Sequence, residues 1–291
     1  MRYLSLLAPL LLLAAAPAPS PEAHPAMWKL ADADTTLWLF GSIHILPAGT
    51  NWMDPKIKAA IDGSQSLTIE TVLDQDPGKV ANILMTMGKA KGLPPLAQRV
   101  PPAKRRQLAA LIKASGVPAS LLDGMKSWAA AIMLTGAALE QIGVDAAASP
   151  GVEPQLTALF RSSGKSVDGL ETPEAQLGFF NQLPESAQRA FLVATLDDPA
   201  KSRADFRKMI DAWSRGDPVA IAKSFADDPE FTPALRDLLI RQRDHNWAEL
   251  LAKRLDQPGT VFVAVGAGHL VGPDSVQAML AKKGLKVTRV Q

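Results

Sequence analysis

Short runs of β-branched and aromatic residues recur along the chain, and glycine, aspartate or proline bounds each of them, as is usual for strands. Five such runs predict strands, over residues 35–40, 66–72, 165–171, 260–265 and 285–290. Apolar residues recur at helical spacing between them, over residues 55–60, 153–164 and 273–284. A strand–helix–strand order with short links is typical of parallel pairing.

Two long segments contain no strand pattern. Residues 77–143 and 184–255 consist of helical runs that prolines and glycines separate. We interpret both segments as helical insertions into a two-part core that spans residues 28–71 and 153–290. The sequence therefore predicts an α/β fold with a mainly parallel β-sheet core, flanking helices and large helical insertions.

The first residues have the features of an export signal rather than of a folded element. Arg2 precedes an apolar run at residues 4–16, and small residues and prolines follow it. This run is too short to cross a bilayer comfortably. We therefore expect a signal peptide at residues 1–23, one α/β domain at residues 24–291, and export to a periplasm or beyond. An uncleaved N-terminal anchor is the alternative, and no transmembrane helix is expected in the mature chain.

The composition narrows the classes of function. The chain has 31 Lys and Arg against 29 Asp and Glu, so no strongly basic surface is expected and nucleic acid is not a predicted partner. Because the chain has no cysteine, disulfides, thiolate metal sites and cysteine nucleophiles are excluded. A bound metal would need histidine, carboxylate or carbonyl ligands.

Two of the four histidines follow predicted strands in the same pattern, Gly-x-x-His. His44 belongs to LWLFGSIHILP, and His269 belongs to VFVAVGAGHLVG. A single match of this kind is weak evidence for a site, but two matches behind strands are harder to ascribe to chance. Ligands bind outside the carboxyl ends of parallel strands. We therefore predict that His44 and His269 approach each other, although about 225 residues separate them.

Two glutamates occupy similar places along the chain. Glu70 comes at the end of the second predicted strand and Glu171 at the end of the third, so four side chains that can bind a metal would meet at one edge. Glycines 41, 266 and 268 are expected to permit sharp turns there. Each side chain also has a purely structural interpretation, as a loop or cap residue or as a charge before the next helix. His24 and His245 receive no functional role.

Histidine and carboxylate ligands without sulfur suit Zn, Mn, Co or Fe(II). Such a divalent metal would lower the pKa of a bound water molecule and polarise a carbonyl group. We predict His44, His269 and Glu70 as the metal ligands, with one carboxylate as general base as the alternative. Glu171 is the second candidate for either role. The motifs of serine hydrolases, P-loop enzymes and HExxH metalloproteases are all absent from the sequence.

The motifs named above resemble those of the TraB/GumN family, which has the TIKI proteases as animal relatives and lies within the wider erythromycin-esterase/ChaN-like group. The resemblance covers residues 28–290 and rests on LWLFGSIHILPAGTNWMDPKIKAAI, LTIET, KSVDGLETPEAQLGFFNQLP, RDHNWAELLAKRL and GTVFVAVGAGHLVGPDSVQAMLAKKGLKVTRV. It implies a site that contains His44, His269 and Glu70.

Further site residues are implied by the same resemblance. The block GLETPEAQ adds Glu171 and Gln176, and the arginine before the late tryptophan corresponds to Arg243. Relatives tend to have asparagine after this arginine, whereas this chain has Asp244. In a hydrolase, Arg243 would steady a carboxylate or a developing oxyanion.

The resemblance also implies an activity. The TIKI branch implies a metal-dependent peptidase that uses Mn or Co, so a peptide or protein is the expected substrate. The ChaN branch implies instead a non-catalytic metal- or haem-binding protein, in which histidine would be the axial ligand. An interaction module with a degenerate site is a third alternative.

Overall fold

One sheet of six strands lies at the centre of the computed structural model, which describes residues 22–47, 49–74, 76–145, 150–228 and 231–291. The strands are β1 (Met27–Ala31), β2 (Thr35–Ser42), β3 (Ser66–Thr71), β4 (Ser166–Glu171), β5 (Gly259–Gly266) and β6 (Val287–Arg289). Their order across the sheet is β4-β3-β5-β2-β1-β6. Strands β4, β3, β5 and β2 are parallel, which confirms the predicted α/β class with a mainly parallel sheet.

The apolar pattern explains why β5 is a central strand. Every residue from Val261 to Val265 is at most 2% exposed, as expected for a strand that is covered on both faces. Strand β5 pairs with β3 on one side and with β2 on the other. Its carboxyl end therefore lies between the carboxyl ends of two parallel neighbours.

One side of the sheet differs from the sequence prediction. Strand β1 is absent from the predicted set, and it pairs antiparallel with β2 through a turn in which Asp32 accepts hydrogen bonds from the backbone N–H groups of Asp34 and Thr35. Strand β6 is shorter than the predicted run at residues 285–290 and pairs antiparallel with β1. Two antiparallel strands can be joined by a tight turn, without the helix that connects parallel strands. The sequence around β1 therefore lacks the strand–helix–strand pattern from which the other strands were predicted.

Helices surround the sheet, and many begin where the sequence has a proline after a capping side chain. Asp54, Asp198 and Asp217 cap three of these helices in this way. The helices are α1 (Pro55–Gly63), α2 (Pro77–Gly88), α3 (Arg105–Ser115), α4 (Ala119–Asp123), α5 (Ser127–Gln141), α6 (Val152–Ser162), α7 (Pro173–Gln182), α8 (Glu185–Ala194), α9 (Pro199–Ser214), α10 (Pro218–Asp227), α11 (Pro233–Arg236), α12 (Gln242–Arg254) and α13 (Val276–Lys282). One turn of π-helix (Asp237–Arg241) joins α11 to α12.

The two predicted helical insertions behave differently. In the first, α3 and α5 bury Trp128 and Leu134 in an apolar cluster of their own, which α8 completes. In the second, Trp213 of α9 packs against Phe40 on one face of the sheet, while Trp247 of α12 is buried on the opposite face. Residues 184–255 therefore contribute buried side chains to both faces of the sheet.

The predicted signal peptide at residues 1–23 lies mostly outside the described residues. Its last two residues are folded, because Glu22 pairs with Asn51 and Ala23 is 1% exposed. His24 follows with a hydrogen bond from its ring to Asp54. Within the described residues, no helix combines the length and apolar composition needed to cross a bilayer.

Candidate active site at the carboxyl edge of the sheet

The four side chains predicted from the strand ends lie at one edge of the sheet. His44 follows β2 by two residues, Glu70 lies near the end of β3, and Glu171 is the last residue of β4. His269 lies in a single 3-10 turn (Ala267–Leu270) that follows β5. Because these four strands are parallel, all their carboxyl ends reach the same side of the molecule.

Gly266, the last residue of β5, marks the point where the two histidines converge. A methyl group at Gly266 would lie 3.1 Å from Oε1 of Glu70, 3.6 Å from Cδ2 of His269 and 3.6 Å from Nε2 of His44. The prediction that His44 and His269 approach each other is therefore confirmed. Their roles as metal ligands stay a prediction.

Arg243 links the two glutamates at the centre of the site. Its Nη2 donates to Oε2 of Glu70 at 2.7 Å and to Oε2 of Glu171 at 3.0 Å, and its Nε donates to Oε1 of Glu171 at 3.0 Å. The three side chains are only 7–8% exposed. Burial alone would raise the pKa of Glu70, but the charges of His269 and Arg243 lower it to about 2. Glu70 is therefore ionised at neutral pH.

Helix α12 brings Arg243 to this position. The apolar side of α12 packs on the sheet through Trp247 and Leu251, and the guanidinium of Arg243 lies 4.6 Å from the ring of Trp247. Burial would lower the pKa of Arg243, but Glu70 and Glu171 outweigh burial and raise it. Arg243 thus remains a cation within the protein.

His269 is buried between α12 and the sheet. Its Nδ1 lies 2.5 Å from Oδ1 of Asp244, and its ring centroid lies 4.5 Å from that of Trp247. Its Nε2 lies 3.2 Å from Nη1 of Arg243 and 3.7 Å from Oε1 of Glu70. Because a guanidinium can only donate, a neutral His269 would accept at Nε2 and donate from Nδ1–H to Asp244. Burial raises the pKa of Asp244 to about 6, although His269 and Arg243 act in the opposite direction.

His44 lies at the surface of the same site. Its Nδ1 is 2.6 Å from Oε1 of Glu153, and the Ser42 hydroxyl donates to the same oxygen at 2.6 Å. The His44 side chain is 67% exposed, whereas that of Glu153 is 13% exposed. The hydrogen bond with Glu153 raises the pKa of His44 to about 9, against the effect of desolvation. Nε2 of His44 has no hydrogen-bond partner among the described residues and lies on the Gly266 side of the ring.

A close backbone contact holds Glu153 beside His44. The N–H of Val152 donates to the carbonyl of Ile43 at 3.0 Å, and a methyl group at Gly151 would lie 2.2 Å from the backbone carbonyl of His44. Only glycine permits this approach, which brings the first turn of α6 onto the loop after β2.

The glycines predicted to permit sharp turns have another role. Positive φ angles are absent at Gly41, Gly266 and Gly268, so backbone handedness does not require glycine there. The requirement is space, because a methyl group at Gly268 would lie 2.8 Å from the ring of Phe225, and one at Gly41 would lie 3.2 Å from Cα of Ala267.

Two carboxylates of the site, Glu153 and Asp244, were not predicted as functional residues. Each lies in a helix and contacts Nδ1 of one of the two histidines. The only signal in the sequence is position, because Glu153 follows the Pro-Gly pair before a helix and Asp244 follows Arg243. Gln176, implied by the resemblance, is placed at the site, where its side-chain amide donates to Oε2 of Glu70 at 3.2 Å.

The side chains present fit a divalent metal in chemical type. Two imidazoles and one carboxylate meet beside Gly266, and both imidazoles use Nδ1 for a carboxylate, which leaves Nε2 as the ring nitrogen for a ligand. Because the pKa of His44 is raised to about 9, its Nε2 would have to lose a proton before it bound a metal. In the described part of the chain, however, no three His, Asp or Glu side chains are arranged to hold an ion. The guanidinium of Arg243 lies against Nε2 of His269, so this atom could bind a metal only after Nη1 of Arg243 moved away.

A cleft of about 680 Å³ opens in front of these residues. His44, Glu70, Glu153 and Gln176 are among the residues that line it. The remaining walls are mostly apolar or small side chains of β3, the link that follows β3, and α6: Ile69, Thr71, Val72, Leu73, Pro154, Thr157 and Ala158. A substrate that enters the cleft would therefore reach His44 before the buried Arg243.

Comparison with known proteins agrees with the resemblance. A model of the TraB/PrgY/gumN family matches residues 26–289, and the chain belongs to this family. The uncharacterized protein YbaP of Escherichia coli (strain K12) is 26% identical over 245 residues, which are 83% of this chain and 86% of YbaP. YbaP of Shigella flexneri has the same identity and coverage. No solved structure has a significant match to the chain.

Proposed function

We propose that this member of the TraB/PrgY/gumN family is an exported metal-dependent hydrolase that acts on a peptide or protein. The observation that carries the proposal is the shared environment of the two Gly-x-x-His histidines. Nδ1 of His44 contacts Glu153 and Nδ1 of His269 contacts Asp244, while Glu70 lies beside both rings. Histidine ligands of metals usually donate their second ring nitrogen to a carboxylate in this way.

Each side chain has a distinct proposed role. His44, His269 and Glu70 would hold the metal, which supplies an activated water molecule and polarises the carbonyl group of the substrate. Arg243 pairs with Glu70 and helps to keep it ionised, and in the proposed reaction it would stabilise negative charge that develops on the substrate oxygen. Because Arg243 engages both oxygens of Glu171, we assign Glu171 to holding Arg243 rather than to moving protons.

The substrate class and the location have separate support. The apolar, open cleft beside His44 has room for an extended chain, and the peptide bond as target is implied by the resemblance to the TIKI branch. Export is supported by the N-terminal apolar run at residues 4–16. Cell fractionation of the source organism tests the location, and a cytoplasmic protein that still begins at Met1 would contradict it.

Metal analysis and peptide cleavage test the proposed reaction together. We expect His44→Ala and His269→Ala to lose both divalent metal and cleavage, because the loss of one of about three ligands breaks the coordination. Glu70→Gln separates two roles: a ligand loses metal, whereas a general base keeps metal and loses turnover by about a hundred- to ten-thousandfold. His245→Ala is the matched control, because His245 is exposed on α12. Wild-type protein that cleaves no peptide with Mn, Co or Zn would refute the proposal.

A haem-binding protein is the second candidate, and one observation favours it. His44 is exposed beside a mostly apolar cleft and its Nε2 has no described partner, whereas Nε2 of His269 contacts Arg243. A single histidine of this kind suits an axial haem ligand. Titration with haem distinguishes the two candidates: a Soret shift that His44→Ala abolishes, in protein that cleaves no peptide, would support haem binding.

A further inference from the structure

The cleft continues beyond the candidate active site into a second hollow. The first part, of about 680 Å³, contains His44 and Glu70, and the second part, of about 700 Å³, lies between α6, α7 and α2. The two parts share Val72, Leu73 and Arg161 as wall residues. They therefore form one groove, and Arg161 lies at the junction.

Helix α6 presents two different faces along this groove. Val152, Leu156 and Phe160 are buried in the core on one face. The residues that line the groove are spaced at i, i+3, i+4 and i+7, so they share the other face: Pro154, Thr157, Ala158 and Arg161. Three of these residues are small, which leaves room for a ligand along α6 until the long side chain of Arg161 is reached.

The charges of the groove are mostly paired. Glu70 is bound by Arg243, Glu153 is bound to His44, and Lys79 in the outer hollow contacts Asp74 at 2.7 Å. Arg161 is exposed, and its side chain has no ion-pair or hydrogen-bond partner among the described residues.

Glu174 is a groove carboxylate that could compete with an anionic ligand for Arg161. It lines the outer hollow, as Arg161 does, and it too has no described partner. It is absent from the walls of the inner cleft, where Arg161 lies on the same helix face as Thr157 and Ala158. A cation at the end of an apolar and small-residue wall fits a carboxylate group more closely than a neutral one.

We propose that Arg161 binds a carboxylate of the substrate, on the side of the groove away from His44. This inference rests on the proposed peptide hydrolase and names its preferred substrates, which are peptides with small or apolar residues beside the cleaved bond and a carboxylate beyond them. An acidic side chain and a free C-terminal carboxylate share this chemistry. Arg161 acts on specificity and has no part in bond cleavage.

Equilibrium binding tests the subsite without requiring turnover. The probes are fluorescein-labelled peptides of alanine and leucine with one Asp at successive positions, their Asn and Lys counterparts, and versions with free or amidated C-termini, all measured in EDTA. We expect wild-type protein to bind the best Asp or free-carboxylate peptide about tenfold more tightly than its neutral counterpart, as one charge-assisted contact allows. The position of the effective Asp, or the effect of amidation, identifies which carboxylate binds.

Variants of Arg161 decide the assignment. Arg161→Ala should abolish the preference, and Arg161→Glu should reverse it toward peptides with Lys in place of Asp. Arg207→Ala is the matched control, because Arg207 is also an exposed helical arginine without a described partner. An unchanged preference in Arg161→Ala, equal binding of charged and neutral peptides, or no peptide binding at all overturns the inference. Selective binding without any cleavage would support the role of Arg161 in carboxylate binding and refute the proposed hydrolase activity.

Discussion

The two Gly-x-x-His histidines follow neighbouring strands but occupy different surroundings. Strands β2 and β5 pair in parallel with Ser42 opposite Gly266, so both histidines leave the sheet at the same edge. The His44 side chain is 67% exposed, whereas the His269 side chain is 7% exposed. One local pattern has therefore produced a histidine at the mouth of a cleft and another inside the protein.

The helix that covers each histidine accounts for this difference. His269 lies beneath α12, where its ring contacts Trp247 and its Nδ1 contacts Asp244. His44 contacts the first turn of α6 through Glu153, and its exposed ring lines the cleft. In both cases a helical carboxylate far along the chain holds Nδ1. The motif places a histidine at the edge of the sheet, and a helix distant in sequence sets its burial and orientation.

The largest difference between the two histidines is expected in stability. His269→Ala leaves the buried carboxylate of Asp244 without its imidazole partner, and breaking a buried pair costs about 3–5 kcal/mol in the free energy of unfolding. His44→Ala removes an exposed ring, so we expect a loss below about 1 kcal/mol. Urea unfolding of the metal-free proteins measures both values. Equal losses would show that burial does not distinguish the two histidines.

The loop around His44 is expected to be sensitive to a single methyl group. In Gly151→Ala the added carbon would lie 2.2 Å from the His44 carbonyl, so the backbone must move, and we expect a loss of about 1–3 kcal/mol. Gly136→Ala is the control, because Gly136 lies in the interior of α5 with open space around it, and alanine is preferred there by about 0.5–1 kcal/mol. Thermal unfolding compares the two variants, and a stable Gly151→Ala protein would mean that α6 does not clamp the loop.

The two carboxylates on Nδ1 are expected to have similar effects on metal binding. Glu153→Ala and Asp244→Ala should each weaken Mn²⁺ binding by about 10–100-fold, because each histidine loses the group that fixes its ring. Glu153→Gln and Asp244→Asn keep an acceptor oxygen for Nδ1–H and should lose less. Calorimetric titration provides the affinities. Unchanged Mn²⁺ affinity in Glu153→Ala would show that Glu153 has no role in metal binding.

The smallest expected effect is a dependence of stability on pH at His44. Its pKa is raised from 6.5 to about 9, so it contributes stability that is fully present below pH 6.5 and is lost as the pH rises through about 9. Because the side chain is 67% exposed, solvent screening keeps this contribution below about 1 kcal/mol. Denaturant unfolding in EDTA at pH 6 and pH 9.5 should reveal a smaller decline in His44→Ala than in wild type. An identical decline in the free energy of unfolding in both proteins would show that a group other than His44 causes the pH dependence.

The edge of the sheet was largely predictable because strands and their ends have local signals. The apolar run before Gly266 predicts a strand, and His44, Glu70 and His269 come at the ends of such runs. Parallel pairing then brings these ends together. Strand β1 was missed, since an antiparallel neighbour joined by a tight turn leaves no helical pattern between two strands.

The partners of the two histidines were not predictable in the same way. Glu153 contacts His44, which lies 109 residues earlier in the chain, because Gly151 permits a close approach of the two backbone segments. No local sequence pattern predicts that approach. Asp244 meets His269 because Trp247 fixes the rotation of α12 on the sheet. Arg243 entered the predicted site through the family resemblance and not through its own surroundings in the sequence.

By itself, the sequence determined the parallel core strands and the presence of two histidines and two glutamates at one edge, because short β-branched and aromatic runs and the positions where they end are local properties. The tertiary structure decided which histidine is buried, which carboxylate holds each ring, and where Arg243 lies between Glu70 and Glu171. These features depend on how α6 and α12 pack against the sheet. Burial and charge pairing arise from contacts between distant segments, so they exist only in the folded chain.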